Sequence, residues 1–270
     1  MTDGDDARRI TSRVGIPSVR RVVVKVGSSS ISGANAGQIP RLVDALAALH
    51  ARGAEVILVS SGAIATGIPY LKLDGRPTDL ATQQAAAAVG QNVLIFRYQE
   101  SLDRHRIVAG QVLLTARDLS NQKHRNNAQR AIARLLSLRI LPIVNENDTV
   151  ATHEIRFGDN DRLAALVARL MHADLLVLLS DVDALYTRPP QQPGARRIEH
   201  VPFDDALAGV EFGEASDTGV GIGGAVTKVA AARLAASSGT PVLFAETGDV
   251  AAALQGAAIG TWFDAAPPAE

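Results

Sequence analysis

Short apolar runs rich in valine, isoleucine and leucine alternate along this chain with longer stretches of helical period. The runs are RVVVKVG at 21–27, AEVILVSSG at 54–62, RIVAGQVLLT at 106–115, RILPIVNEND at 139–148, DLLVLLSD at 174–181 and TPVLFAE at 240–246. Between them Ile39, Leu42, Val43 and Leu46 recur at the spacing of one helix face, as do Leu163, Leu166, Val167 and Leu170. A strand apolar at successive positions needs cover on both faces. Strands separated by helices run parallel through right-handed crossovers. The expected fold is α/β, a three-layer αβα sandwich with a mainly parallel central sheet.

One domain is expected at 21–264, between a polar N-terminal extension at 1–20 and a tail at 265–270. TRPPQQPGARR (187–197) and EFGEASDTGVGIGG (211–224) read as long loops within it, because strand and helix signals resume after each. Hydrophobic residues make up 47% of 270, ample for a core of this size. With 27 basic and 28 acidic residues, the net charge of -1 offers no chain-wide attraction to nucleic acid or anionic membrane. Any anion site must therefore be local. The absence of cysteine excludes thiolate zinc sites, disulfides and cysteine nucleophiles. The apolar runs are too short to cross a bilayer, and residues 1–20 lack an apolar signal-peptide core, so a cytoplasmic protein is expected, with no nucleic-acid or membrane partner.

In open parallel sheets ligands bind beyond the carboxyl ends of the strands. The polar and glycine-rich turns fall there: KVGSSS, SSGAIATG, NENDTV and SDVDALYT each follow a strand, while GIGGAVTK precedes a helix. Each also has a plain structural reading. SSGAIATG is an ordinary strand-to-helix turn, KHRNNAQR (123–130) a solvated helix face, Lys228 a solvated helix residue, and the acidic cluster Asp159, Asn160 and Asp161 an N-terminal helix cap. GVGIGGAVTK fits neither the P-loop spacing nor the dinucleotide fingerprint. Lys25 is the sharpest case. A lysine inside an apolar strand is costly unless paired, so it belongs either at a sheet edge or in a site. Taken together, two lysines and glycine-rich turns would form a phosphate-binding floor.

VVVKVGSSSI, SSGAIATG, AAVGQ, IVNENDTVATHEIRFGDND, LLSDVDALYT and GGAVTK occur in the order and spacing of the amino acid kinase family. The stretch NENDTVAT...FGDND resembles most closely the glutamate 5-kinase members of that family, and the resemblance spans residues 20–264. It implies the amino acid kinase fold and ATP-dependent phosphorylation of the side-chain carboxylate of L-glutamate, the first step towards proline. By the same resemblance Lys25 and Lys228 neutralise charge on the transferring phosphoryl group and Asp161 holds the lysines. Ser61, Gly62, Asp148 and Asn160 bind glutamate. Lys25, Ser180, Asp181, Gly223, Gly224 and Lys228 face the nucleotide. Mg2+ arrives with ATP, held mainly by its phosphates and by no dedicated protein ligand. A homo-oligomer, dimer or tetramer, and feedback inhibition by proline are further implications, as is the form without a C-terminal PUA domain.

A carboxylate acceptor is already ionised at neutral pH, so such an enzyme needs cancellation of anionic repulsion rather than a general base. Glutamate also brings a free ammonium, for which the pocket wants an acid and amide donors. Asp148 and Asn160 are the candidates, and an acetylated amine would need no such acid. Ile222 and Ala184 depart from the family pattern in the nucleotide region. Two alternatives stand beside this reading: a kinase of the same fold acting on another small acid, and a catalytically silent amino acid sensor, against which both retained lysines weigh.

Overall fold

The computed structural model describes residues 10–73, 75, 77–150, 160–212 and 224–268. In chain order the elements are β1 (Arg21–Val26), α1 (Ile39–Ala51), β2 (Glu55–Ser60), α2 (Ala63–Gly67), α3 (Leu80–Asp103), β3 (Ala109–Leu114), α4 (Ala116–Ser120), α5 (Gln122–Ser137) and β4 (Leu141–Glu146). There follow α6 (Asn160–Leu170), β5 (Leu175–Ser180), β6 (Leu185–Tyr186), β7 (Arg197–Ile198), β8 (His200–Val201), α7 (Ala225–Ala236), β9 (Val242–Glu246), α8 (Val250–Leu254) and β10 (Thr261–Phe263). All six apolar runs read from the sequence are strands.

Eight strands form one sheet in the order β3, β4, β2, β1, β5, β9, β10, β8. The strands β1 to β5 and β9 are mutually parallel. The expectation of parallel strands gives way at one edge, where β10 runs antiparallel to β9 and carries β8 beside it. These edge strands are three and two residues long, too short for a period to show in the sequence. β6 and β7 pair separately as an antiparallel ribbon flanking the loop read at 187–197.

β1 lies at the centre of the sheet, with Lys25 in register with Val59 on one side and Leu178 on the other. The sheet-edge explanation of Lys25 is thereby removed. Alternation along β1 then assigns its face. Val22, Val24 and Val26 pack with Leu42 and Leu46 of α1 and Leu94 and Tyr98 of α3. Val23 packs on the opposite face, with Leu163 and Val167 of α6 and Ala231 and Ala235 of α7. Lys25, two residues on, therefore stands on the α6 and α7 side.

Helix starts are set locally. Asp79 caps α3 by accepting from the Thr82 amide at 2.8 Å. Thr115 and Asp118 cap α4 reciprocally, and Asn121 interrupts the helical run to cap α5. α2 and α3 meet backbone to backbone: a Cβ built at Gly67 would lie 1.9 Å from the Ala86 carbonyl oxygen, and one at Gly90 1.8 Å from that of Ala63. Only glycine permits this approach. Among the described residues, no helix is long and apolar enough to cross a membrane.

Candidate active site

Asp161, the second residue of α6, is fully buried beneath the carboxyl end of β1. Its two carboxylate oxygens face two different lysines. Oδ1 forms an ion pair with Lys25 Nζ, and Oδ2 lies 3.1 Å from Lys228 Nζ in the first turn of α7. Both lysines are nearly buried, at 3% and 8% exposure. Charges this deep are stable only when paired, and here one carboxylate serves two ammonium groups. The trio retains one net positive charge, which is the complement an incoming anion requires. The plain reading of Lys228 as a solvated helix residue does not hold.

Asn160, one residue earlier, turns into a separate buried cluster. Its Nδ2 donates to the Ser60 carbonyl at 2.7 Å, to Ser61 Oγ at 3.0 Å and to Asn145 Oδ1 at 2.7 Å. A carbonyl can only accept, so contact with the Ser60 carbonyl identifies this atom as nitrogen. The amide hydrogens are thus spent within the protein, and the group left for a ligand is the carbonyl oxygen. Where the sequence reading expects an amide donor, the fold turns this nitrogen inward. The chain before Asn160 carries the rest of the cluster: Asn145, at 1% exposure, donates from Nδ2 to Gln91 Oε1 at 2.6 Å and accepts from the Glu146 amide at 2.8 Å.

Ser60 ends β2, Ser61 follows it, and Gly62 comes next with φ +95°, a left-handed conformation that turns the chain straight into α2. A side chain at Gly62 would be strained and would also lie 3.5 Å from the Ser28 backbone in the turn after β1. The Ser60 hydroxyl is fixed from below by Tyr98 of α3, at 2.9 Å. Tyr98 is wholly buried, and burial pushes its ionisation far above the usual phenol range, so it stays a neutral hydrogen-bonding group.

Asp148 lies in the turn after β4, half-buried, two residues beyond the buried Glu146. On the other side of β1, Ser180 ends β5 and donates to Asp181 Oδ1 at 3.0 Å, while Asp181 is exposed. The Thr247 hydroxyl after β9 lies 2.9 Å from both the Ser180 carbonyl and Ser30 Oγ, tying the β1 and β5 turns together. Gly224 immediately precedes α7. Gly223 and Ile222 lie outside the described residues, as does Asp159. Ala184 is buried beside β6.

The structure therefore joins Lys25, Lys228 and Asp161 in one group and Ser61 and Asn160 in an adjoining one, with Gly62 next to Ser61 at the turn into α2. Sequence reasoning did not single out Asn145, Gln91, Tyr98 or Thr247. Asn145 and Gln91 sit inside the quoted stretches IVNEND and AAVGQ, but nothing in a linear motif says that they touch.

A sequence model of the amino acid kinase family matches residues 20–246. A glutamate 5-kinase of Clavibacter sepedonicus is 77% identical over 252 residues, covering 93% of this chain and 97% of its own length. That of Leifsonia xyli subsp. xyli is 72% identical over 254 residues, 94% of each chain. A longer glutamate 5-kinase from Streptomyces coelicolor is 54% identical over 258 residues, which is 94% of this chain and 69% of that relative. Among solved structures, carbamate kinase from Giardia lamblia bound to AMP-PNP superposes with a TM-score of 0.67 over 93% of this chain and 100% of its own. At 17% identity that likeness concerns the fold alone.

Proposed function

This chain belongs to the amino acid kinase family, and we propose that it transfers the terminal phosphoryl group of ATP to the side-chain carboxylate of L-glutamate, with the residues described above in defined roles. The observation that carries the assignment of roles is the convergence of Lys25 and Lys228 on Asp161 beside the amide of Asn160. The glutamate 5-kinase activity itself accords with identity of 72% and 77% to relatives of that name over nearly the whole chain.

In this reaction a side-chain carboxylate oxygen bonds to the γ-phosphorus as the bond from that phosphorus to the ADP oxygen breaks. The products are ADP and an acyl phosphate. No proton has to be removed from the acceptor, so the chemistry rests on placing two anions together and holding charge on the phosphoryl oxygens. Lys25 and Lys228 supply that charge, one rooted in a central strand and one at a helix start. Asp161 acts as a positioning residue, since both of its oxygens are engaged by lysines.

Substrate selection falls to the adjoining group. The Asn160 oxygen and the Asp148 carboxylate are acceptors suited to the substrate ammonium, with Ser61 and the Gly62 backbone completing the floor. Ser180, Asp181, Gly223 and Gly224 are assigned to the nucleotide. When bound with ATP, Mg2+ would supply charge neutralisation at the nucleotide phosphates. The Asp161 carboxylate between the lysines faces one ammonium with each oxygen, which fits a metal carried by the nucleotide rather than by this residue. We further place the enzyme in the cytoplasm, as a homo-oligomer inhibited by proline at or near the glutamate pocket.

A coupled assay of ADP release with glutamate and Mg-ATP, with hydroxylamine to trap the acyl phosphate as hydroxamate, tests the proposal. Glutamate-dependent ADP and hydroxamate are expected. Turnover with aspartate, acetylglutamate or carbamate but none with glutamate would overturn it.

A further inference from the structure

Asn145, Gln91 and Asn160 come from three elements, β4, α3 and α6, and form a single file of side-chain amides. Its direction can be assigned without ambiguity. The Glu146 amide can only donate, so the Asn145 atom it meets is oxygen; the Ser60 carbonyl can only accept, so the Asn160 atom it meets is nitrogen. Asn145 must then present nitrogen to Gln91, which answers with Oε1. That contact is the one side-chain hydrogen bond that Gln91 makes among the described residues, although only 8% of the residue is exposed.

We infer that Gln91 is a positioning residue for substrate, which closes the far end of the amide file and holds Asn145 in place, so that the Asn160 carbonyl oxygen is kept facing the substrate ammonium. The inference rests on the glutamate reading above. Without an acceptor at Gln91, the buried Asn145 amide nitrogen loses its partner, and burial of an unpaired donor drives the side chain to move or flip. Either movement withdraws Asn145 Oδ1 from Asn160 Nδ2, and the Asn160 amide, left with the Ser60 carbonyl and Ser61 Oγ, holds its carbonyl oxygen towards the ammonium less firmly. The damage is to ground-state recognition of the ammonium and leaves the lysine group untouched.

The test compares Gln91→Met, similar in shape but without an acceptor, with Gln91→Glu, which keeps one. In the coupled assay Gln91→Met is expected to raise the glutamate KM about tenfold, the scale of a buried donor left without its acceptor, with kcat and the ATP KM within about threefold. Glutarate, which lacks the ammonium, should inhibit the wild type and Gln91→Met with similar Ki, and Gln91→Glu should restore the glutamate KM to within about threefold of wild type. A merely structural role would move kcat, both KM values and the glutarate Ki together. An unchanged glutamate KM in folded Gln91→Met, or equal effects of the two substitutions, would overturn the inference. Should Gln91→Met not fold, Gln91→Ala makes the same comparison, and loss of fold in both would place Gln91 in stability alone. A wild-type enzyme inert towards glutamate would instead refute the functional reading, so the two failures are distinct.

Discussion

Replacing Asp161 by asparagine keeps the shape of the side chain and removes the charge shared by two buried lysines. One of its two carboxylate oxygens becomes an NH2 group, a donor set against an ammonium, and the remaining oxygen can serve only one of Lys25 and Lys228. With exposures of 0%, 3% and 8% for the trio, water cannot fill the gap. Breaking a buried pair by removing one partner costs about 3–5 kcal/mol of stability, a value taken from comparable pairs. Displacing a preorganised charged group from the reacting phosphoryl oxygens lowers kcat by about a hundredfold to a thousandfold. Asp161→Asn is therefore expected to lose that much kcat with the glutamate KM within about threefold, because the Asn160 cluster does not use the Asp161 carboxylate. The assay is initial-rate ADP release at saturating substrates, alongside urea denaturation to establish that the variant is folded at the assay temperature. The double variant Asp161→Asn with Lys228→Met gives a second reading. Groups acting as one unit are non-additive, so its kcat should fall little below that of the worse single variant. A folded Asp161→Asn enzyme with kcat near wild type and a raised glutamate KM would refute the division between lysine holder and substrate cluster.

Lys228→Ala should lower kcat by at least about a hundredfold in the same assay, since a transition-state charge is removed while Lys25 and Asp161 remain paired. Asp148→Asn should raise the glutamate KM about tenfold to a hundredfold and leave kcat and the ATP KM nearly unchanged, the pattern of a charge-assisted contact present in both ground and transition states. Light scattering at micromolar protein should give a mass above that of one chain, and proline should inhibit most strongly at subsaturating glutamate. A clean monomer would remove the first of these, and proline-insensitive rates the second.

The central sheet was legible because its strands are long, apolar on both faces and separated by helices with a clear stripe, as α1 and α6 show. The edge formed by β8 and β10 was not, since a strand such as Thr261–Phe263 carries too few residues to declare a period. α3 escaped for a different reason. Its run of alanines and glutamines, LATQQAAAAVGQ, has no apolar stripe, and its position is set by glycine contact with α2. Lys25 could be singled out because a charge in an apolar strand is anomalous by itself. The atom that Asn160 offers could not, because it depends on backbone groups of Ser60 and Glu146, the first of them 100 positions away. Motif resemblance named the residue, and only the folded backbone decides which end of the amide faces outward.

The contact between Gly67 and Gly90 has a consequence for how this enzyme can drift or be redesigned. The atoms nearest to each missing Cβ are carbonyl oxygens of the opposing helix, Ala86 and Ala63, rather than side chains. A clash with a side chain can be relieved by a smaller neighbour, but no substitution shrinks a carbonyl, so neither glycine has a compensating partner elsewhere in the sequence. Any larger residue must separate α2 from α3, and Gln91, the next residue after Gly90, travels with the helix. The spacing of α2 and α3, and with it the placement of Gln91, is thus governed by two positions outside the Asn160 cluster. A variant that needs more room between these helices must therefore move their backbones, since no exchange of side chains at the contact can provide it.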